Sequence, residues 1–320
     1  MRYYTSMAYT MIEFIKKLYA LGERQFEKEQ QAAVLIRKEL EAYHVPYRTE
    51  HFTMNLPRFK KAELSVDGHT IPCVATSLVS GKITSPNPLI SSLTSSQNFL
   101  HNSNINFNQL CRSISRSNHY FAPSVAVHAH DVKHFLGAES VQGTVIVHKV
   151  RHTATNILVG NSKNPRYVVF SHFDSLYGGA VDNASGTALS LYLATQHKEL
   201  LAHTLFVFSG NEELSYDEPI YWGHGYRVFE AKHGSALKRA KHIFVIDCIG
   251  FSKTNFVRDQ KVVILGFPVK SLSTIINKTT LVIGDYQKMM TFYHSDLDTP
   301  ELITEAEMRR AAQAMIKKLS

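Results

Sequence analysis

The chain has 320 residues, 44% of them hydrophobic, a formal net charge of +8 and three cysteines. That length and apolar content fit an ordinary soluble globular protein with a sizeable core, built as one large α/β domain or as a domain carrying an insertion. No stretch reaches the roughly 18 consecutive apolar residues that span a membrane, and Cys73, Cys111 and Cys248 are too scattered for a disulfide framework or a CxxC zinc knuckle.

Lys and Arg are spread along the chain rather than gathered into a stripe with interleaved aromatics, so neither nucleic acid nor a membrane is an expected partner. Residues 8 to 44 place apolar side chains at helical spacing (Ile12, Ile15, Leu18, Leu21, then Ala32, Leu35, Ile36, Leu40). This predicts two helices, or one broken at Gly22. Glu13, Lys16 and Lys17 interrupt the apolar run that a signal peptide needs, so the segment reads as the first helix of a cytoplasmic protein. From 47 to 54 the pattern alternates, as in a strand.

Residues 57 to 140 change character: strand-like pieces (AELSVDG, HTIPCVATSLV, PSVAVHAH) alternate with Ser, Asn, Gly and Pro clusters, and SSLTSSQNFLHNSNINFNQ is especially polar. They form an expected β-rich insertion or lid between an N-terminal part of the main domain (1–56) and its larger part (141–320). In the insertion, HAHDVKH places His128 and His130 on one face of a predicted strand.

Beyond the insertion the chain runs in strand-then-helix units. GTVIVHKV, TNILVG, YVVFSH, HTLFVFSG and HIFVIDCIG are strand candidates, with VVILGF at 262–267 as a sixth; helical stretches lie at 186–199 and 225–241, and TEAEMRRAAQAMIKKLS reads as a final packing helix. Continuous apolar strands alternating with helices predict an α/β fold: a mixed, centrally parallel sheet with helices on both faces.

Ligands bind such sheets beyond the carboxyl ends of the strands. Three strand candidates end in polar residues there: His172 and Asp174 after YVVFS, Glu212 and Glu213 after HTLFVFSGN, and Asp247 after HIFVI. Asp182 lies in the Gly-rich loop GGAVDNASG, and His294 in TFYHSDLDT. Two divalent metals close together need a bridging carboxylate flanked on each side by an imidazole and a further carboxylate. Asp182 is placed to bridge, His172 with Asp247 to complete one metal site and Glu213 with His294 the other. Asp174 is placed to accept the second ring N–H of His172. Glu212 then remains as an unliganded carboxylate, the position of a general base.

On these pieces, above all HFDS, GGAVDNASGTA, FSGNEEL and YHSDLDT, the sequence resembles the M28 zinc aminopeptidases over about residues 140–310. The resemblance implies His172, Asp182, Glu213, Asp247 and His294 as ligands to two metal ions, zinc above all, Asp174 as orienter, Glu212 as base and a peptide as substrate. It also implies a protease-associated type of β insertion at 57–140. One departure stands out: the Ser-Asp-His segment that many members carry before the last ligand is not recognisable between Asp247 and His294. M20 dipeptidases, deacylases and carboxypeptidases share the ligand order but separate the HxD from the bridging Asp by more chain. Glutaminyl cyclases lack the first His, and a non-catalytic binding protein on this scaffold would be expected to have lost ligands. Near the site, Tyr221, Trp222 and Tyr226 are candidate pocket residues, and Cys248, following a ligand on a strand, is expected to face the core.

Overall fold

The computed structural model describes residues 10–84, 89–93 and 98–320. The start of the N-terminal helical reading and two stretches of the polar insertion, 85–88 and 94–97, lie outside the described residues. Two helices open the chain, α1 (Met11–Tyr19) and α2 (Glu27–Ala42), separated around Gly22 as the sequence predicts. A long strand, β1 (Tyr47–Val66), leads into six short ones: β2 (His69–Thr70), β3 (Cys73–Ala75), β4 (Gly81–Thr84), β5 (Leu89–Ser91), β6 (Asn104–Phe107) and β7 (Ser124–Val127). Then follow β8 (Val141–Gly160), β9 (Tyr167–His172), α3 (Gly186–Gln196), β10 (Thr204–Ser209), α4 (His224–Arg239), β11 (His242–Ile246) and β12 (Asn255–Val257). The last elements are α5 (Gln260–Gly266), α6 (Leu272–Ile275), β13 (Thr279–Ile283), α7 (Tyr286–Met289) and α8 (Glu305–Leu319).

The main sheet has the order β12-β13-β11-β9-β10-β8-β1-β2, with β4 also paired to β8. Its centre is parallel, because β10 and β11 both flank β9 in parallel and β13 pairs in parallel with β11. Every residue of β9, β10 and β13 is buried, the signature of strands covered on both faces. Phe170 of β9 packs its ring on Tyr226, Phe229 and Phe267. Helix α3, buried along nearly its whole length, packs with α1, α2 and α8 as well as against β9; a helix apolar all round is one enclosed by other elements.

Strands β1 and β8 pair from Tyr47 with Val159 to Val66 with Val141, through one register shift between Phe59 and Lys61. The pieces read from sequence as GTVIVHKV and TNILVG are therefore one strand. The far half of this ribbon, with β4 and the small sheet β3-β7-β6-β5, encloses a second apolar core around Leu64, Ile83, Ile105, Val125 and Val145. A third cluster, including Met54, Leu78, Leu100, Leu176 and Leu214, joins this layer to the main body.

Two predicted strands are not strands. VVILGF lies in α5, where Asp259 caps the helix by accepting from the Lys261 amide at 2.8 Å, and the strand sits instead at Thr279–Ile283. A six-residue apolar run does not by itself distinguish the two states. HAHDVKH turns into a short 3-10 helix over Ala129–Phe135. His128 caps it, its Nδ1 accepting from the His130 amide at 2.9 Å, so the two rings do not share a strand face.

Candidate metal centre

Strands β9, β10 and β11 end side by side, and their parallel order brings the loop after each strand to the same edge of the sheet. The loop carrying Asp182 reaches that edge because α3 begins at Gly186 hard against β11, where a Cβ would lie 2.8 Å from the Ile246 carbonyl. His172 Nε2 faces Asp182 Oδ1 at 3.3 Å and Asp247 Oδ1 at 3.5 Å. His294 Nε2 faces Asp182 Oδ2 at 3.1 Å and Glu213 Oε2 at 3.0 Å. The sequence-predicted set thus falls into two triads, His172-Asp182-Asp247 and Asp182-Glu213-His294, whose donor atoms lie within 4.8 Å of one another. Asp182 belongs to both. Glu212 lies outside both triads but lines the same chamber.

Both imidazoles are oriented from behind. The Nδ1 of His172 lies 3.2 Å from the Asp174 carbonyl oxygen, and the Nδ1 of His294 lies 3.2 Å from the Arg116 carbonyl oxygen. A carbonyl only accepts, so each Nδ1 carries hydrogen and each Nε2 points its lone pair, once deprotonated, at the carboxylates. The Asp174 carboxylate does something other than the expected ring contact: its oxygens accept the amides of Glu212 at 2.9 Å and Glu213 at 3.0 Å, and its nearest oxygen is 3.5 Å from the His172 ring. It fixes the glutamate pair, while its own main chain orients the imidazole.

Sequence reasoning missed three groups. The carboxylate of buried Asp298 accepts the amides of Val181 at 2.6 Å and Asp182 at 3.0 Å. Fully buried Arg24 donates to the carbonyls of Phe173, Gly178 and Gly179 at 2.7, 2.5 and 2.9 Å, clasping the loop between the first ligand and the bridge. Arg116, from the segment between β6 and β7, stands behind His294. Asp298 alone carries a sequence signal, as the last acid of YHSDLD.

The electrostatics are those of a carboxylate cluster around two imidazoles. Burial works against charge on His172, but Tyr226 and the carboxylates of Asp174, Asp182 and Asp247 outweigh it and hold the imidazole well above its usual range. His294 is raised likewise by Glu213 and Asp182 against burial. Asp182, although buried, is held below the carboxylate range by the two imidazoles. Burial pushes Glu212 well up; His172 opposes this, and Glu213, Asp174 and Asp247 add to it. Burial lifts Asp298 to about 7, against the two amides it accepts.

A divalent cation fits this arrangement. Glu213 Oε1 and His294 Nε2 are buried without an aligned hydrogen-bond partner, a state that buried polar atoms avoid unless something else binds there. Imidazole nitrogen and carboxylate oxygen, three donors to each triad, suit zinc with a coordination position left open.

The adjoining chamber, about 410 Å³, is walled by Tyr221 and Trp222 and by Val262, Leu265, Ile283 and Met290. Tyr226 is not in the wall; it packs beneath it on Phe170 and Phe267. Cys248 is buried in the main core, as expected, but from beyond β11, which ends at Ile246; at φ 49° it also borders the chamber, with Sγ 3.3 Å from Asp247 Oδ1. Strand alternation does not extend past the strand.

Residues 155–261 match the family model for peptidase family M28, a segment that holds His172, Asp182, Glu212, Glu213 and Asp247. This segment belongs to peptidase family M28. Among solved structures, the M28 segment and its surroundings resemble BSAP, a zinc aminopeptidase from Bacillus subtilis, at 18% identity, TM-score 0.68, covering 94% of this chain and 92% of that one. An aminopeptidase from Aneurinibacillus sp. strain AM-1 matches at 16% identity and TM-score 0.65, over 94% and 90% of the two chains. A Porphyromonas gingivalis glutaminyl cyclase shares the fold more loosely, at 12% identity and TM-score 0.52, over 97% and 96%. No curated protein sequence matches the chain. The M28 match and the carboxylate-imidazole cluster together support a metal-dependent exopeptidase, and no helix among the described residues is long and apolar enough to cross a membrane.

Proposed function

We propose that the chain is an aminopeptidase that uses two divalent ions, with zinc the metal its donors suit best. One observation carries this reading: two donor triads share Asp182 while Glu212 stands free of both on the chamber wall. His172 and Asp247 would hold one ion, Glu213 and His294 the other, and Asp182 both. Bound there, the ions would supply Lewis acidity toward the peptide carbonyl and the attacking water. Glu212, raised by burial, takes the proton from that water and returns it to the leaving amine. Asp174, gripping both glutamate amides, keeps Glu212 and Glu213 in their separate places.

Polarity of cleavage follows from charge. Among the described residues no Lys or Arg lines the chamber, so apart from the two ions a substrate carboxylate would find no cationic side chain there, whereas a terminal ammonium group meets Glu212, the carboxylate left free of the ions. The apolar walls favour a bulky uncharged side chain at that terminus. Three unpaired cysteines fit a cytoplasmic setting.

The test uses the zinc-loaded chain on four substrates: a free-amino leucyl peptide, its N-acetyl form, a peptide offered for carboxyl-terminal cleavage, and one beginning with glutamine. Hydrolysis of the free-amino peptide alone, lost on chelation and restored by zinc, is expected. Cleavage of the acetylated peptide from its carboxyl end, or cyclisation of the glutamine, would overturn the assignment.

A further inference from the structure

We infer that Arg116 is a positioning residue for His294, so that the insertion builds one of the two metal triads instead of gating the site. The inference rests on the reading of the triads as metal sites. It begins from a difference between the two imidazoles. The carbonyl that orients His172 comes from Asp174, two residues along the same loop, whereas the carbonyl that orients His294 comes from Arg116, 178 positions away in the insertion.

The segment around Arg116 is fastened along the stretch that carries His294. Asn108 donates to the Met290 carbonyl at 2.9 Å, Ser115 Oγ to the Tyr293 carbonyl at 2.7 Å, and the Arg116 amide to the His294 carbonyl at 2.9 Å. Arg116 and His294 therefore exchange contacts in both directions. His294 itself holds a left-handed backbone at φ 49°, a conformation that a non-glycine residue keeps only when its surroundings impose it.

The Arg116 side chain adds to these bonds in holding the Arg116 carbonyl still. Its guanidinium, only 7% exposed, forks onto Glu23 with Nη2 3.0 Å from Oε2 and Nη1 3.2 Å from Oε1. It also lies 4.4 Å over the ring of Tyr177. Glu23 sits between α1 and α2, and Tyr177 between His172 and Asp182, so the fork and the ring pin the insertion to the catalytic body at two points. A planar fork is needed for this: a lysine would keep the charge and lose the bidentate geometry. Loosening the pin frees the Arg116 carbonyl and removes the acceptor that sets the His294 tautomer and ring angle. Among the described residues the Arg116 guanidinium makes no hydrogen bond or ion pair to His172, Asp182 or Glu213, so the loss falls first on His294. Outer partners of this kind are worth about 10- to 100-fold in metal affinity.

The test is zinc binding by equilibrium dialysis to the full metal-free chain, for wild type, Arg116→Ala, Arg116→Lys and Glu23→Gln, with thermal unfolding of each metal-free protein alongside. Glu23 is 40% exposed, so Glu23→Gln breaks the same fork even where Arg116→Ala fails to fold. Wild type is expected to hold two zinc ions. Glu23→Gln and Arg116→Ala should hold one as tightly as wild type and the other about 10- to 100-fold more weakly, with Arg116→Lys intermediate. In a His294→Ala background, Glu23→Gln should change nothing further. Equal weakening of both ions, no weakening of either, or a further loss in the His294→Ala background would overturn the inference. A wild-type chain that binds fewer than two ions would overturn the two-triad reading, and this inference with it.

Discussion

Asp182 turns one carboxylate oxygen to each imidazole: Oδ1 lies 3.3 Å from His172 Nε2 and Oδ2 lies 3.1 Å from His294 Nε2. A carboxylate that serves two sites at once makes their metal affinities fall together when it is lost. Asp182→Ala is expected to bind both zinc ions far more weakly, whereas His172→Ala should weaken chiefly one. Zinc stoichiometry across a titration checks this, and an Asp182→Ala chain that still holds two ions at wild-type affinity would remove Asp182 from the bridge.

Glu212 and Glu213 are chemically identical neighbours separated only by direction, and both amides end on the Asp174 carboxylate. Glu213 falls within donor range of Asp182 and His294, while Glu212 does not. Glu212→Gln should therefore keep both metals and lose roughly 100- to 10,000-fold in turnover. Glu213→Gln should instead lose metal affinity, with activity partly recovered at high zinc. A metal-poor, rescuable Glu212→Gln beside a loaded, inactive Glu213→Gln would reverse the two roles.

Much of this site was legible because its residues sit where local patterns end. His172 ends a buried apolar strand and Glu213 and Asp247 each follow one, and buried strands announce themselves by composition. The supports were not legible, because each is a pairing between distant segments. Arg24 reaches a loop about 150 positions away, and Arg116 reaches His294 across 178; neither leaves a periodic trace. The last strand was misread for a different reason: VVILGF is apolar enough for a strand, but the cap at Asp259 starts a helix and leaves Ile264 and Leu265 about half exposed. TTLVI, which opens with two threonines, is the buried strand.

The misread helix carries a consequence for specificity. Leu265 lies on the chamber rim with 51% of its surface exposed, so a charge placed there stays hydrated and the fold is spared. Leu265→Glu should lower kcat/KM on peptides beginning with leucine and raise it on those beginning with lysine, moving their ratio by about 10-fold or more. Competition between the two peptides in one reaction measures that ratio directly. An unchanged ratio would show that the terminal side chain does not occupy this chamber.

Acid sensitivity has a source outside the metal centre. His242, at the start of β11, has its Nε2 2.8 Å from Thr280 Oγ1, and burial, with Arg258 and Lys318 nearby, pushes its pKa down to about 4. An unfolded histidine titrates near 6.5. Between these values the unfolded chain binds the proton and the folded chain does not, so stability from this group is complete above about pH 6.5 and is lost as pH falls toward 4. The ring is only half-buried, and solvent screening reduces the effect to about 1 kcal/mol. His242→Gln keeps a hydrogen-bonding group for Thr280 but does not titrate, so its stability should fall about 1 kcal/mol less than that of wild type between about pH 7 and pH 4.5. Urea unfolding of both proteins with metal removed by chelation isolates this contribution from acid release of ligands at His172 and His294. Parallel losses in the two proteins would show that His242 is not the group responsible.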